Sequence, residues 1–240
     1  LSWLNLKSYS FTVVDPYNFK KLKNKLKHKK IDILNKPPTQ KKIKTFDIII
    51  FAVKPQIATD VLSDYKNFEL KKNIVIGSII AGKKINFFKK KIKNANQFVR
   101  IMPNMPALVR KGISCFVSNS HLSLSNKKKL NELFLTVGKT IWLKNESQID
   151  KATAVSGSGP GYIFTLIYAF EKAAEKIGFS KNQSRDLIIL TMLGSIYLMQ
   201  ETKKNPDELA RQIAVKGGTT EAGIKKLTNN NIDKIIYKTF

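Results

Sequence analysis

Ala152-Thr-Ala-Val-Ser-Gly-Ser-Gly-Pro-Gly161 divides the chain into two kinds of sequence. Upstream, short apolar runs alternate with lysine-rich amphipathic segments; downstream, from Tyr162 to Met199, apolar residues continue at helical spacing with no strand-like block. A glycine inside a helix costs about 1 kcal/mol relative to alanine, so three glycines and a proline predict a break in the helix that begins near Glu146, with resumption at Tyr162. Glycines that merely let two helices cross are the plain alternative, but such clustering favours a ligand or a tight interface. The architecture should therefore change here. The boundary is placed after Asn145: an α/β unit over residues 1–145 and an all-α unit over residues 146–240.

The upstream half carries the marks of a parallel sheet. Phe46-Asp-Ile-Ile-Ile-Phe-Ala-Val53, closed by Lys54-Pro55, is unalternating and rich in β-branched residues, as a strand buried on both faces must be. Strands are also predicted over 11–14, 73–80, 97–101, 112–117 and 140–143, and helices over 18–30, 57–65, 85–92 and 124–136. Leu1 to Leu6 reads as the tail of a helix with Trp3 as a core contact. This strand–helix rhythm is that of a doubly wound sheet, whose ligands bind beyond the carboxyl ends of the strands. Two features fall at such ends. Asp15, before Pro16, is placed to accept from a ribose hydroxyl, or simply stops the strand, and the next helix is either a solvated amphipathic helix or one whose Lys20 or Lys21 helps hold a 2′-phosphate. Pro103 and Asn104, within Met102-Pro-Asn-Met-Pro106, form a stiff loop after the strand that ends at Ile101.

In the second half, Ser180 is a good N-cap for a helix running to about Lys203, Pro206 starts a short helix, and Gly178 ends the helix from Tyr162. The face from Leu187 to Leu198 is apolar almost all round, more than a small helical unit can cover alone, so a partner subunit is expected. Lys216-Gly-Gly-Thr-Thr220 precedes a final helix at Glu221. Its backbone N–H groups and two hydroxyls at a positive helix end suit a carboxylate or phosphate, with a plain cap as the alternative.

Composition excludes several classes. The 43 Lys+Arg against 17 Asp+Glu give a net charge of +26, which ordinarily raises nucleic acid as a partner. Yet the arginines are only Arg100, Arg110, Arg185 and Arg211, whereas phosphate and base recognition favours the guanidinium fork, so the lysines read as solvated surface. Cys115 is single, which leaves no intrachain disulfide, and it reads as a buried, inert thiol. His28 and His121 are too isolated for a metal site. Apolar runs fall short of the roughly 20 residues of a membrane span. A cytoplasmic protein without metal, membrane or nucleic-acid partner is expected. Hydride transfer fits the strand-end pattern better than hydrolysis, for which no triad or spaced carboxylate pair stands out.

Four stretches then coincide in order and spacing: Phe51-Ala-Val-Lys-Pro-Gln56, Val99-Arg-Ile-Met-Pro-Asn-Met-Pro-Ala107, Ala154-Val-Ser-Gly-Ser-Gly-Pro-Gly-Tyr162 and Gly217-Gly-Thr-Thr220. Together they resemble pyrroline-5-carboxylate reductase over nearly the whole chain. The resemblance implies a Rossmann-type parallel-sheet domain followed by an all-α dimerisation domain, a homodimer often assembled further into a decamer, and reduction of 1-pyrroline-5-carboxylate to L-proline with NADPH or NADH. It also implies site roles. Asp15, Ala52, Val53, Lys54, Pro55, Ile79, Ile80 and Ala81 would face the cofactor's ribose and phosphates, and Pro103 and Asn104 the nicotinamide. Ser156, Gly217, Gly218, Thr219 and Thr220 would meet the imino acid substrate, with Thr220 hydrogen-bonding the imine nitrogen as the catalytic residue.

The chain departs from the family pattern at three places. The family opens with a strand and Gly-rich phosphate loop that nothing before Asp15 supplies, so about two dozen residues are expected to be missing, comparable to one strand, turn and helix. Residues 1–240 by themselves should bind cofactor weakly. Ala214-Val215-Lys216 stands where the family has Thr-Ser-Pro, removing a hydroxyl and adding a charge, and Asp15 replaces the usual Ser or Arg near the 2′-phosphate. The rival readings are a non-catalytic dimerising remnant and a β-hydroxyacid dehydrogenase-like reductase. The latter requires a lysine in the long interdomain helix, and none occurs between Ala152 and Glu171.

Overall fold

In the computed structural model, residues 9–27 and 31–240 are described. The expected helix tail at Leu1–Leu6, the contact of Trp3, and His28 to Lys30 lie outside them. By packing, the chain forms one unit up to Gly157 and a second from Ser158 to Phe240.

The first unit runs β1 (Phe11–Val14), α1 (Phe19–Leu26), β2 (Ile31–Leu34), α2 (Gln40–Ile43), β3 (Ile48–Phe51), α3 (Ala58–Ser63), β4 (Val75–Ser78), α4 (Ile85–Lys91) and β5 (Gln97–Pro103). After a 3₁₀ turn at Met105–Val109 follow β6 (Gly112–Ser118), α5 (Leu124–Leu135), β7 (Gly138–Trp142) and α6 (Glu146–Ala152), and a π-helical turn at Thr153–Gly157 closes the unit. β1 and β2 pair in parallel, and β3-β4-β5-β6-β7 form a five-stranded sheet. Consecutive residues of the central strands enter opposite cores. Ile76 and Phe98 pack with Leu62, Phe88 and Ile149 on one face, while Val75 and Val99 pack with Phe116 and Leu130 on the other. Burial on both faces is what makes these strands continuous apolar runs.

Two sequence expectations change, and the packing also divides the chain at a point of its own. The sheet is not wholly parallel, because β6 pairs antiparallel with β5 while β7 is parallel to β6. Residues 104–111 are too few for a parallel crossover, which needs a dozen or more, so the 3₁₀ turn reverses the chain instead. Gly112 permits that reversal, since a Cβ there would lie 2.7 Å from the Ala107 backbone. Next, β2 and α2 occupy residues 31–34 and 40–43, where no element was predicted; Ile43 is wholly buried and Thr39 caps α2. Finally, the packing division falls after Gly157, beyond the boundary expected at 145. Ile149 of α6 is 0% exposed in the core of the sheet unit, which fastens α6 and the π turn to the sheet.

The second unit is helical throughout: α7 (Gly159–Lys176), α8 (Lys181–Thr202), α9 (Pro206–Ile213), α10 (Thr219–Asn229) and α11 (Ile232–Thr239). The helix break therefore sits at Thr153–Gly157, earlier than the glycines predicted. Gly159-Pro160-Gly161 forms the first turn of α7, where a proline's missing N–H would have no intrahelical partner anyway. Ser180 caps α8 in a reciprocal capping box with Gln183. α11 is a separate helix, divided from α10 by Asn231 at φ +54°. Among the described residues of 158–240, only Ala174 and Ser184 are buried. Among the described residues, no helix is long and apolar enough to cross a membrane and no His/Cys/Asp/Glu group could hold a metal ion.

Candidate functional site

The parallel register Phe51↔Ser78↔Arg100 brings the carboxyl ends of β3, β4 and β5 to one edge of the sheet. Beyond β3, Ala52 and Lys54 are exposed while Val53 and Pro55 are half-buried. Beyond β4, the Ile79 N–H donates to the Phe51 carbonyl (3.0 Å) and the Ile80 N–H to the buried Ser78 hydroxyl (3.1 Å), which leaves Ile80 in the core and Ala81 exposed. The edge is thus an apolar rim with accessible backbone at the ends of parallel strands, a surface that fits the ribose and phosphates of a dinucleotide.

Asn104 is extended (φ −112°, ψ 169°) immediately after β5 and uses its side chain to fasten three elements. Its Oδ1 accepts from the Ile113 N–H at 2.9 Å, its Nδ2 donates to the Ser156 carbonyl at 3.2 Å, and its own N–H donates to the Ile113 carbonyl at 3.2 Å. Pro103 pairs with Ser114 in the register, so β5, the start of β6 and the π turn meet at this point. The second Nδ2 hydrogen of Asn104 takes no part in these bonds. The Ser156 hydroxyl donates to the Ala152 carbonyl at 3.1 Å and also bonds the Cys115 thiol. Burial pushes that thiol's pKa up and the Ser156 hydrogen bond partly opposes it, so Cys115 stays protonated and inert. Gly157 is where the backbone passes tightly, since a Cβ there would lie 3.0 Å from the Met102 sulfur; at Gly159 and Gly161 a Cβ would meet nothing within 4 Å.

Asp15 has an engaged carboxylate. Its Oδ1 accepts from the Asn18 N–H and its Oδ2 from the Asn18 side-chain amide, both at 3.0 Å, which starts α1. Lys20 and Lys21 are on α1, Lys20 in the first turn.

In the helical unit, the turn before α10 is shaped by its own bonds. Gly217 adopts φ +78°, a left-handed conformation that favours glycine. Its N–H donates to Glu221 Oε2 at 2.8 Å, and the Gly218 N–H donates to the Val215 carbonyl at 3.0 Å. Both glycine N–H groups are therefore occupied within the turn. Thr219 and Thr220 are the first two residues of α10, and the capping position before them is a glycine without a side chain to close their N–H groups. An anion would meet those two threonines more directly than the glycines ahead of them.

Comparison with known proteins decides the family. Residues 146–240 match the description Pyrroline-5-carboxylate reductase dimerisation. Over 190 residues the chain is 36% identical to pyrroline-5-carboxylate reductase of Pseudomonas aeruginosa, covering 79% of this chain and 69% of that protein. The chain belongs to the pyrroline-5-carboxylate reductase family. Two solved reductases share its fold at 26% identity. That of Coxiella burnetii has a TM-score of 0.81 and covers 95% of this chain and 93% of its own. That of Plasmodium falciparum, solved with NADP bound, has a TM-score of 0.77 and covers 96% and 92%.

Within this reductase fold, sequence reasoning overlooked two groups. Arg100 is 6% exposed and lies between the carboxylates of Asp150 and Glu146; its position inside an apolar strand was the signal. Glu221, which closes the Gly217 turn, is legible as an acidic residue in the first turn of α10, but its reach back to Gly217 is not.

Proposed function

We propose that this chain reduces 1-pyrroline-5-carboxylate to L-proline with NADPH or NADH, the last step of proline biosynthesis. The observation that carries this reading is the meeting of Pro103, Asn104 and Ser156 at the carboxyl edge of β3–β5 in a member of the reductase family. Ala52 to Pro55 and Ile79 to Ala81 line that edge for the cofactor's ribose and phosphates, and Pro103 with Asn104 forms its nicotinamide side. When bound, the reduced nicotinamide supplies the hydride that saturates the imine carbon.

The chain's own residues bind and orient. The N–H groups of Thr219 and Thr220, at the positive end of α10, attract the substrate carboxylate, and Lys216 adds charge where the family's hydroxyl is lost. The Thr220 hydroxyl hydrogen-bonds the ring nitrogen and thereby fixes which carbon faces the donor. A protonated imine is already electrophilic, so the site needs no strong general acid. Asp15, committed to Asn18, meets a ribose hydroxyl only through its remaining lone pairs.

The apolar faces of α7 and α8 support a homodimer: Phe164, Tyr168, Leu190 and Ile196 are each more than half exposed. Sedimentation separates a dimer from a decamer. A cytoplasmic location accords with a cofactor-dependent biosynthetic reductase. The direct test is oxidation of NADPH or NADH by the full-length protein with pyrroline-5-carboxylate. Turnover with either cofactor upholds the assignment, and absence of turnover with both refutes it.

A further inference from the structure

Arg100 lies on β5 between Phe98 and Met102, and alternate residues of a strand share a face, so it belongs to the sheet face that Ile149 of α6 covers. Its Nη2 donates to Asp150 Oδ1 at 2.9 Å, and its Nη1 lies 3.8 Å from Glu146 Oε1, buried and without a hydrogen bond. Glu146 and Asp150 are four residues apart on α6, on one face of the helix. The same Glu146 oxygen accepts from the Ile85 N–H at 2.9 Å, which opens α4 just after the loop containing Ile79 to Ala81. Beyond Asp150, α6 runs directly into the π turn, whose Ser156 carbonyl accepts from Asn104. One guanidinium thus anchors the helix on which the loops after β4 and β5 are both secured. A buried charge holds its partners strongly because leaving either side unpaired is expensive, and only the planar fork of arginine reaches two carboxylates at once.

We propose that Arg100 is a positioning residue for the reductase reaction: acting through Asp150 and Glu146, it fixes α6 and so holds Ser156 and Asn104 in the arrangement the nicotinamide side requires. The proposal rests on the reading of Pro103 and Asn104 as that side. If it holds, Arg100 and Asn104 act in series, and removing the second after the first adds little.

The experiment is a double-mutant cycle on the full-length reductase, reading kcat/KM for NADPH in steady state with oligomeric state and melting temperature measured alongside. Arg100→Gln and Asn104→Ala are each expected to lower kcat/KM about tenfold, and the double variant no more than about twentyfold, with Arg100→Lys recovering about threefold of the loss. Independent effects that multiply to about a hundredfold, or a normal kcat/KM for Arg100→Gln, overturn the proposal while leaving the nicotinamide-side reading intact. An unchanged kcat/KM for Asn104→Ala alone removes that reading and the proposal with it. Should Arg100→Gln fail to fold, Asp150→Asn takes its place in the cycle under the same criteria, its side chain being 56% exposed.

Discussion

The two units of this chain bury their apolar residues in opposite ways. In the sheet unit, Phe98, Phe116, Leu62, Ile76 and Leu130 are almost wholly buried, and both faces of the sheet are closed by the unit's own helices. In the helical unit, α8 carries Leu187, Leu190, Leu193, Ile196, Tyr197 and Leu198, all between 42% and 69% exposed. Both sequences are apolar, so composition does not distinguish them. The difference is that a sheet covered on both faces completes a core within one chain, whereas two long helices packed side by side leave most of their circumference uncovered. The helical unit thus leaves exposed the apolar surface that the sheet unit closes within itself, in the region that matches the family's dimerisation description.

Substitutions sharpen that contrast. Phe116, stacked 4.8 Å from Trp142 and edge-on to Phe134, is 0% exposed, so Phe116→Ala should cost about 3–5 kcal/mol of unfolding free energy while leaving the dissociation constant of the oligomer unchanged. Denaturant unfolding with parallel sedimentation reads both quantities, and a loss below about 1 kcal/mol would contradict a self-contained sheet core. Leu190→Glu places a charge on the uncovered face of α8 and is expected to raise the dimer dissociation constant about a hundredfold, roughly 3 kcal/mol. Sedimentation velocity that is identical to wild type at all concentrations would show that no second copy covers this face.

Smaller effects fall on the site. Thr220→Val removes the hydroxyl but keeps the shape, and kcat/KM for the imino acid should fall roughly 10–100-fold with KM for NADPH little changed. An equal loss in both parameters would place Thr220 outside the substrate contact. At the least sensitive end, Asp47 accepts from Lys71 at 2.6 Å, and this bond, with the charges of Lys129 and Lys71, holds its carboxyl below the usual range against the opposing effect of burial. A lowered folded-state value means stability present above the ordinary carboxylate pKa and lost as pH falls through the folded one. Because the Asp47 side chain is 52% exposed, Asp47→Asn should cost under about 1 kcal/mol near pH 7 and progressively less toward pH 3. A difference between the urea midpoints of the two proteins that grows as the pH is lowered would reverse the sign of this assignment.

Most elements were legible where a local rule governs them. The run Ile48–Phe51, the N-cap at Ser180 and the Pro206 start of α9 all formed where pattern and cap chemistry put them. β2 was missed although Ile31-Asp-Ile-Leu34 alternates, because the lysines and prolines on either side mask so short a signal. β6 was legible as a strand but its antiparallel direction was not, because strand direction depends on loop reach, which apolar patterning does not encode. At the site, the stretches around Asn104, Ser156 and Gly217 were recognisable by composition, but their partners were not. Asn104 and Ser156 are 52 residues apart, and Arg100 and Asp150 are 50 apart.

By itself, the sequence determined a two-sided α/β sheet followed by apolar helices, the break between them, and the loops that carry the reductase motifs. Those follow from period, propensity and capping, which act over a few residues. Tertiary structure alone decided that the helix break is a π turn fastened to the sheet by Ile149, that Gly217 and Gly218 spend their N–H groups close to their own turn, that Asn104 bonds Ser156 and that Arg100 bonds Asp150. Hydrogen bonds and buried charges are satisfied by whichever groups the fold brings within about 3 Å, and that proximity has no periodic trace along the chain.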